Sequence, residues 1–172
     1  MTIEPIDAGR QAIVRQVTEH CLCRAGVLWR CEFEPIPVTF DLAGRSAGMY
    51  RVRHGRRSIR YNPWLFAKYF EENVAVTVPH EVAHYVTDML YGLHQVRPHG
   101  EQWQAVMRSL GVEPRATGDY DLTGVPVRRQ RRFAYACACS THRLSARRHN
   151  KVDCGEALYR CRRCGGPLVY SG

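Results

Sequence analysis

Two histidines and a glutamate mark where this chain can do chemistry. In Val78-Pro79-His80-Glu81-Val82-Ala83-His84-Tyr85-Val86 the pattern His-Glu-x-x-His lies within an apolar run of helical character. Residues four apart on a helix stack on one face, so His80 and His84 can offer two imidazoles to one metal ion with Glu81 beside them. Neutral imidazole nitrogens bind Zn²⁺ at about 2.0–2.1 Å, and three protein ligands leave a fourth position for water, whose pKa falls toward about 7. Glu81 then serves as general base, taking a proton from the attacking water and handing it to the leaving amine. A motif this short also arises by chance, as two packed or surface histidines, so a third ligand decides.

Arg97-Pro98-His99-Gly100-Glu101-Gln102-Trp103 offers one. His99 heads a second amphipathic stretch, in which Trp103, Val106, Met107 and Leu110 recur at helical spacing before Gly111 as a C-terminal stop. Folding this helix back on the first brings His99 to the metal, and Gly100 allows close backbone approach. His20 and His94 have no such setting and read as surface histidines.

The elements that must hold these residues show in the periodicity. Ile13, Val14, Val17, Cys21 and Leu22 predict a helix from a cap at Asp7 to about Arg24. Short strands follow at 38–42, 48–52 and 58–61, and a small antiparallel sheet is the simplest arrangement for them. Arg45, Arg51, Arg53, His54, Arg56, Arg57 and Arg60 make this segment basic, as either a charged surface beside the cleft or a solvated, protected edge. Asn62-Pro63-Trp64 opens a further helix as cap, first-turn proline and apolar body, ending near Glu71-Glu72-Asn73. Pro79 places the start of the metal-bearing helix close to the ligands, and Gly92 its end.

Residues 113–134 break every regular pattern and read as a basic linker, with Arg128-Arg129-Gln130-Arg131-Arg132 as its charged run. Beyond it, Cys161-x-x-Cys164-Gly165-Gly166 has the spacing of a zinc knuckle, because two thiolates three apart fit one tetrahedral ion and the glycines permit the turn. Two assignments complete its ligand set: Cys137 with Cys139, or Cys139 with His142. The cysteine pair is preferred, since Tyr135-x-Cys137 mirrors Tyr159-x-Cys161, while Cys154 lies off the pattern as a free thiol. A ribbon this small buries little apolar surface, so zinc supplies much of its folding energy. Its role is either a structural staple or, through its arginines, a docking module.

The combination of His80-Glu81-x-x-His84 with His99-Gly100 resembles the SprT-like metalloproteases, a family whose eukaryotic branch, Spartan, degrades proteins crosslinked to DNA. The C-terminal end is similar to the zinc ribbon of bacterial SprT proteins at Tyr135, Cys137, Cys139, His142, Arg147-Arg148-His149-Asn150 and Tyr159-Arg160-Cys161-x-x-Cys164. The two likenesses span roughly residues 60–170; the first third matches only in layout. The resemblance implies proteolysis of DNA-associated or DNA-crosslinked proteins. Spacing alone implies a metal-dependent hydrolase, of protein or of something else.

Composition sets the bounds. The chain has 172 residues, 45% of them apolar, enough for one domain and a small appendage. It carries 25 Lys and Arg against 16 Asp and Glu, a formal charge of +9, and all but Lys68 and Lys151 of the cations are arginine. Guanidinium groups suit phosphate, so nucleic acid is the expected partner, a basic protein without that role being the plainer reading. Eight cysteines with no secretory or membrane segment indicate a cytoplasmic protein that uses thiols for metal. Cys21 and Cys23 read as small packed apolar residues, the alternative being a redox or metal role shared with Cys31.

The expectation is therefore an α+β, zincin-like metallopeptidase domain over residues 1–112 and a zinc ribbon over 135–172, acting as a monomer without membrane contact. His80, His84 and His99 hold a catalytic zinc with Glu81 as base; Cys137, Cys139, Cys161 and Cys164 hold a structural one, with His142 as the alternative ligand. Arg128, Arg129, Arg131, Arg132, Arg147 and Arg148 face DNA. The competing expectation is a zinc-containing DNA-binding or regulatory protein with little peptidase activity.

Overall fold

Asp7 starts the first helix by accepting the Arg10 backbone N–H at 2.8 Å, and α1 then runs Ala8–Trp29. It outlasts the expected end near Arg24 because Ala25, one turn past Cys21, continues the buried stripe and the Trp29 indole N–H donates to the Ser109 hydroxyl. Arg30 closes it in a left-handed conformation. The computed structural model describes residues 3–115, 118–127 and 131–172. The chain divides into two compact units, residues 1–127 and 128–172.

In the first unit β1 (Val38–Thr39), β2 (Gly48–Arg53) and β3 (Arg56–Tyr61) form a sheet in the order β1-β3-β2. His54 and Gly55, both at positive φ, make the tight turn that pairs β2 with β3 antiparallel. The expectation of a purely antiparallel sheet is corrected here, because β1 pairs parallel with β3. Side-chain alternation identifies strands but not their neighbours; after β1 the chain loops round to β2, and the hairpin lays β3 into the middle. Ile59 and Tyr61 of β3 are fully buried in the main core, while Arg60 pairs with Asp41.

Asn62 caps α2 (Pro63–Lys68) by accepting the Trp64 and Leu65 N–H groups. The helix expected to end at residues 71–73 does not end there. After a break at Tyr69, α3 (Phe70–Glu72) passes through a π-helical turn (Asn73–Thr77) straight into α4 (Val78–Tyr91). Asn73 holds this junction from the inside: its amide donates to the Leu65 carbonyl, and its oxygen accepts from Thr77 and Tyr120, both at 2.7 Å. A buried, fully bonded asparagine reads in sequence like a helix end, which is why the continuity is invisible there. Pro79 falls in the first turn of α4, directly after the π-helical turn, so the residue that cannot donate to the helical ladder sits where the ladder changes from π to α. α5 (Glu101–Ser109) follows and stops at Gly111 in a left-handed conformation.

Residues 118–127, expected within the linker, pack onto the first unit. Tyr120, Leu122 and Val125 join Ala47 and Leu65, and Asp121 pairs with Lys68 at 2.7 Å. Irregularly spaced apolar residues can cover a core without any period that a sequence would reveal.

The second unit consists of β4 (Arg132–Ala136), β5 (Thr141–Ser145), α6 (Ala146–Asp153) and β6 (Val169–Tyr170), with an antiparallel sheet in the order β5-β4-β6. Its core is small: Tyr135, Leu144, Cys161 and Leu168. Among the described residues, no helix is long and apolar enough to cross a membrane.

Candidate metal centre

α4 places His80 on its first turn and His84 one turn later, and the loop before α5 delivers His99. His99 itself takes the left-handed conformation, with φ 59°. The glycine after it serves another purpose: a Cβ at Gly100 would sit 2.9 Å from the Arg97 carbonyl oxygen, so the turn closes only without one. The three Nε2 atoms converge, at 3.3 Å for His80 and His84, 3.0 Å for His84 and His99, and 3.1 Å for His99 and His80. A tetrahedral ion with bonds of about 2.0–2.1 Å would set its nitrogens ~3.3 Å apart, so these donors fit zinc. Burial, aided by the neighbouring imidazoles, lowers His80 to about 4 and His84 to about 3, and burial lowers His99 as well. All three are therefore neutral at pH 7 and keep the lone pair a metal needs.

Trp103 locks the cluster. Its ring lies 4.8, 5.5 and 4.7 Å from those of His80, His84 and His99, and its indole N–H donates to the His80 carbonyl at 3.3 Å. The sequence marks Trp103 as core on α5; its contact with all three imidazoles has no sequence signal.

Glu81 points away from solvent, only 5% exposed, toward β2, where its Oε2 accepts the Tyr50 backbone N–H at 2.6 Å. Burial raises its carboxyl to about 8, against the opposing pull of that N–H. Gly48, two residues earlier on the same strand, makes room for it: a Cβ there would meet Glu81 Cγ and Oε1 at 2.6 Å. Gly48→Ala is expected to destabilise the first unit by about 1–3 kcal/mol through overpacking and to push the carboxylate off its position. Thermal unfolding together with a crystal structure of the variant checks this; an unshifted Glu81 at unchanged stability would refute it. Sequence reasoning read Gly48 only as part of a strand.

One turn beyond His84, Asp88 is also buried, accepting the Tyr50 hydroxyl at 2.5 Å and the Arg57 Nε–H at 2.7 Å. Burial pulls its pKa up, but the Arg57 and Tyr50 bonds outweigh that and hold the carboxyl below the usual range. The network ties β2 and β3 to the face of α4 that carries the histidines. Its spacing, four residues after His84, is the one signal by which the sequence could have disclosed it. Arg57, expected on a basic surface, is held in this pair.

In the second unit the Sγ atoms of Cys137, Cys139, Cys161 and Cys164 lie within 4.8 Å of one another. Cys137 and Cys139 are 3.5 Å apart and Cys139 and Cys161 3.7 Å, against ~3.8 Å for thiolates bound tetrahedrally at about 2.3 Å. The backbone N–H of Cys139 and then His142 lower Cys137 to about 5. Cys139 goes the other way: Ser140 lowers it, but Cys137 and Cys164 crowd it up to about 12. Four sulfurs this close make a tetrahedral donor set, and zinc suits it. His142 approaches Cys137 Sγ at 3.3 Å and Ser140 Oγ at 3.1 Å, beside the four sulfurs. Cys154 is exposed and apart.

Of the arginines expected to face DNA, Arg132, Arg147 and Arg148 line one cleft. Arg131 lies over the Phe133 ring at 4.8 Å, and Arg128 and Arg129 fall outside the described residues.

Known proteins agree with both halves. The SprT-like family matches residues 20–131, and the SprT-like zinc ribbon domain matches residues 131–172. Protein SprT of Vibrio parahaemolyticus is 39% identical over 160 residues, covering 92% of this chain and 92% of that one. Protein SprT of Klebsiella pneumoniae is 40% identical over 161 residues, covering 93% and 92%. Protein SprT of Shewanella oneidensis is 37% identical over 157 residues, covering 90% and 95%. No solved structure matches the chain. Two convergent donor sets and likeness over some nine-tenths of the chain thus lead to one assignment: the chain belongs to the SprT-like family and carries a SprT-like zinc ribbon domain over residues 131–172.

Proposed function

We propose that the chain is a zinc-dependent metalloendopeptidase of zincin-like build, with His80, His84 and His99 as ligands of a catalytic zinc and Glu81 as general base. The observation that carries this reading is a buried carboxylate fixed by a backbone N–H next to three neutral imidazoles whose Nε2 atoms stand 3.0–3.3 Å apart. A purely structural metal site has no use for such a base. Zinc bound there supplies a Lewis acid for the scissile carbonyl and acidifies water.

Glu81 does the proton work. Its Oε2 is occupied by the Tyr50 N–H, which leaves Oε1 to take the proton of the attacking water and deliver it to the amine nitrogen that leaves. Burial disfavours the anion and so favours uptake of the proton, and the leaving amine, a stronger base than the carboxylate, takes it in the next step. Trp103 and the Asp88 network keep the imidazoles and β2 in place during both transfers.

The substrate class is protein bound or crosslinked to DNA. The family resemblance supports it, as do the charge of +9 and the cationic cleft of the second unit. Cys137, Cys139, Cys161 and Cys164 hold a second, structural zinc. Free thiols throughout fit a reducing, cytoplasmic setting, and the protein works there as a monomer.

The test compares cleavage of a DNA-binding protein, with and without DNA, by the wild type and by Glu81→Gln at equal zinc content. Loss of the base is expected to slow cleavage by at least about a hundredfold. If both proteins bind DNA and neither cuts, the enzyme reading fails in favour of a zinc-containing DNA-binding protein.

A further inference from the structure

The cleft in the second unit, about 510 Å³ in volume, is lined by Arg132, Ser145, Arg147, Arg148, Lys151 and Tyr159. It lies where the β4–β5 ladder ends, since Arg132 stands directly opposite Ser145, and Ser145 leads into α6. Arg147 and Lys151 are four residues apart on that helix, and Arg148 and Lys151 three apart, so like charges are stacked on neighbouring turns, an unfavourable arrangement on its own. Among the described residues no carboxylate lines the cleft. Among the described residues the ion pairs are Arg57 with Asp88, Arg60 with Asp41 and Lys68 with Asp121, and none involves these four cations. Four cations sharing a concave space without a counter-charge are arranged to receive an anion.

The size and charge of the cleft indicate which anion. Its volume falls within the range of small-ligand pockets, about 300–1,000 Å³, room for one phosphate and its sugar. A phosphodiester brings a single negative charge, whereas a terminal phosphate carries about −1.5 to −2 and three acceptor oxygens. Planar guanidinium groups pair bidentately with such oxygens. The first turn of α6 contains no acidic residue, and Ser145 does not cap it with its side chain, so backbone N–H groups and a free hydroxyl stand at the same place. Tyr159, with the Arg148 guanidinium 5.5 Å from its ring, forms a wall against which a terminal sugar can pack.

We infer that this cleft binds a phosphomonoester, the phosphorylated end of a nucleic-acid strand, and so anchors the protein at strand ends. This rests on the proposed association with DNA and deepens it. Lys151 becomes part of the interface, which sequence reasoning had left out.

The test measures binding of the zinc-loaded full chain to a single-stranded oligonucleotide carrying a 5′-phosphate, to the same strand with a 5′-hydroxyl, and to a 5′-mononucleotide. It is repeated with Arg148→Ala/Lys151→Ala after its zinc content is shown to equal the wild type's. The phosphorylated strand is expected to bind about tenfold more tightly than the hydroxyl strand, and the variant to lose that preference. Equal binding of the two strands, or a preference that survives in the variant, overturns the inference while leaving the DNA reading intact. A mononucleotide that binds as tightly as the phosphorylated strand overturns it too, by assigning the cleft to a free ligand. Absence of binding by both strands overturns the inference and the DNA reading together, and leaves the peptidase test untouched.

Discussion

Cys161→Ser is expected to unfold residues 128–172 while residues 1–127 keep their fold. Tyr135, Leu144, Cys161 and Leu168 make up nearly all of the buried core of the second unit. Each large apolar side chain contributes about 1.5–3 kcal/mol on burial, while ordering the backbone costs about 1–2 kcal/mol per residue, so this core cannot hold the unit by itself. Zinc binding in comparable small domains is worth about 10–16 kcal/mol, and a Cys₄ site is disabled when one thiolate is lost. Cys161 is the most informative of the four to replace, because it is both ligand and core, and its sulfur also accepts the Arg163 N–H of the knuckle turn. Zinc content is expected to fall from two equivalents to one. Hydrogen exchange by mass spectrometry should show protection vanishing in β4 and β5 and persisting in α4. Retained protection in β4 and β5 would mean that packing, not metal, holds the ribbon.

Trp103→Ala is expected to cost the first unit about 3–5 kcal/mol, the range for deleting a fully buried aromatic, and to weaken zinc binding there by about 10–100-fold. The residue is 1% exposed and touches all three imidazoles, so its removal opens a cavity beneath the ligands as well as in the core. Trp103→Phe separates the two effects. The phenyl ring restores most of the packing, but the bond to the His80 carbonyl is gone, a loss of about 1 kcal/mol. Thermal unfolding and zinc competition with a chromophoric chelator measure the pair. Unchanged zinc affinity in Trp103→Ala would reduce the residue to ordinary core.

Much of this protein was determined locally. Asp7 and Asn62 as caps, the helical register that stacks His80 over His84, Gly92 and Gly111 as helix ends, and the Cys161-x-x-Cys164 knuckle all depend on contacts within a few residues, which a linear sequence displays. Even His99 could be named from its place ahead of an amphipathic helix. The partners of these residues were another matter. That β1 lies parallel to β3, that Asn73 runs α3 into α4 through a π-turn, and that Tyr120, Leu122 and Val125 seal the first unit follow from packing between segments remote in the chain. The same holds for Gly48 and Tyr50 against Glu81, and for Tyr50 and Arg57 against Asp88. The sequence by itself determined which side chains could offer donor atoms to a metal, because ligand spacing and helix geometry act over one turn. Only the tertiary structure decided what holds those atoms still, because burial and cross-strand hydrogen bonds arise between residues that no period in the chain connects.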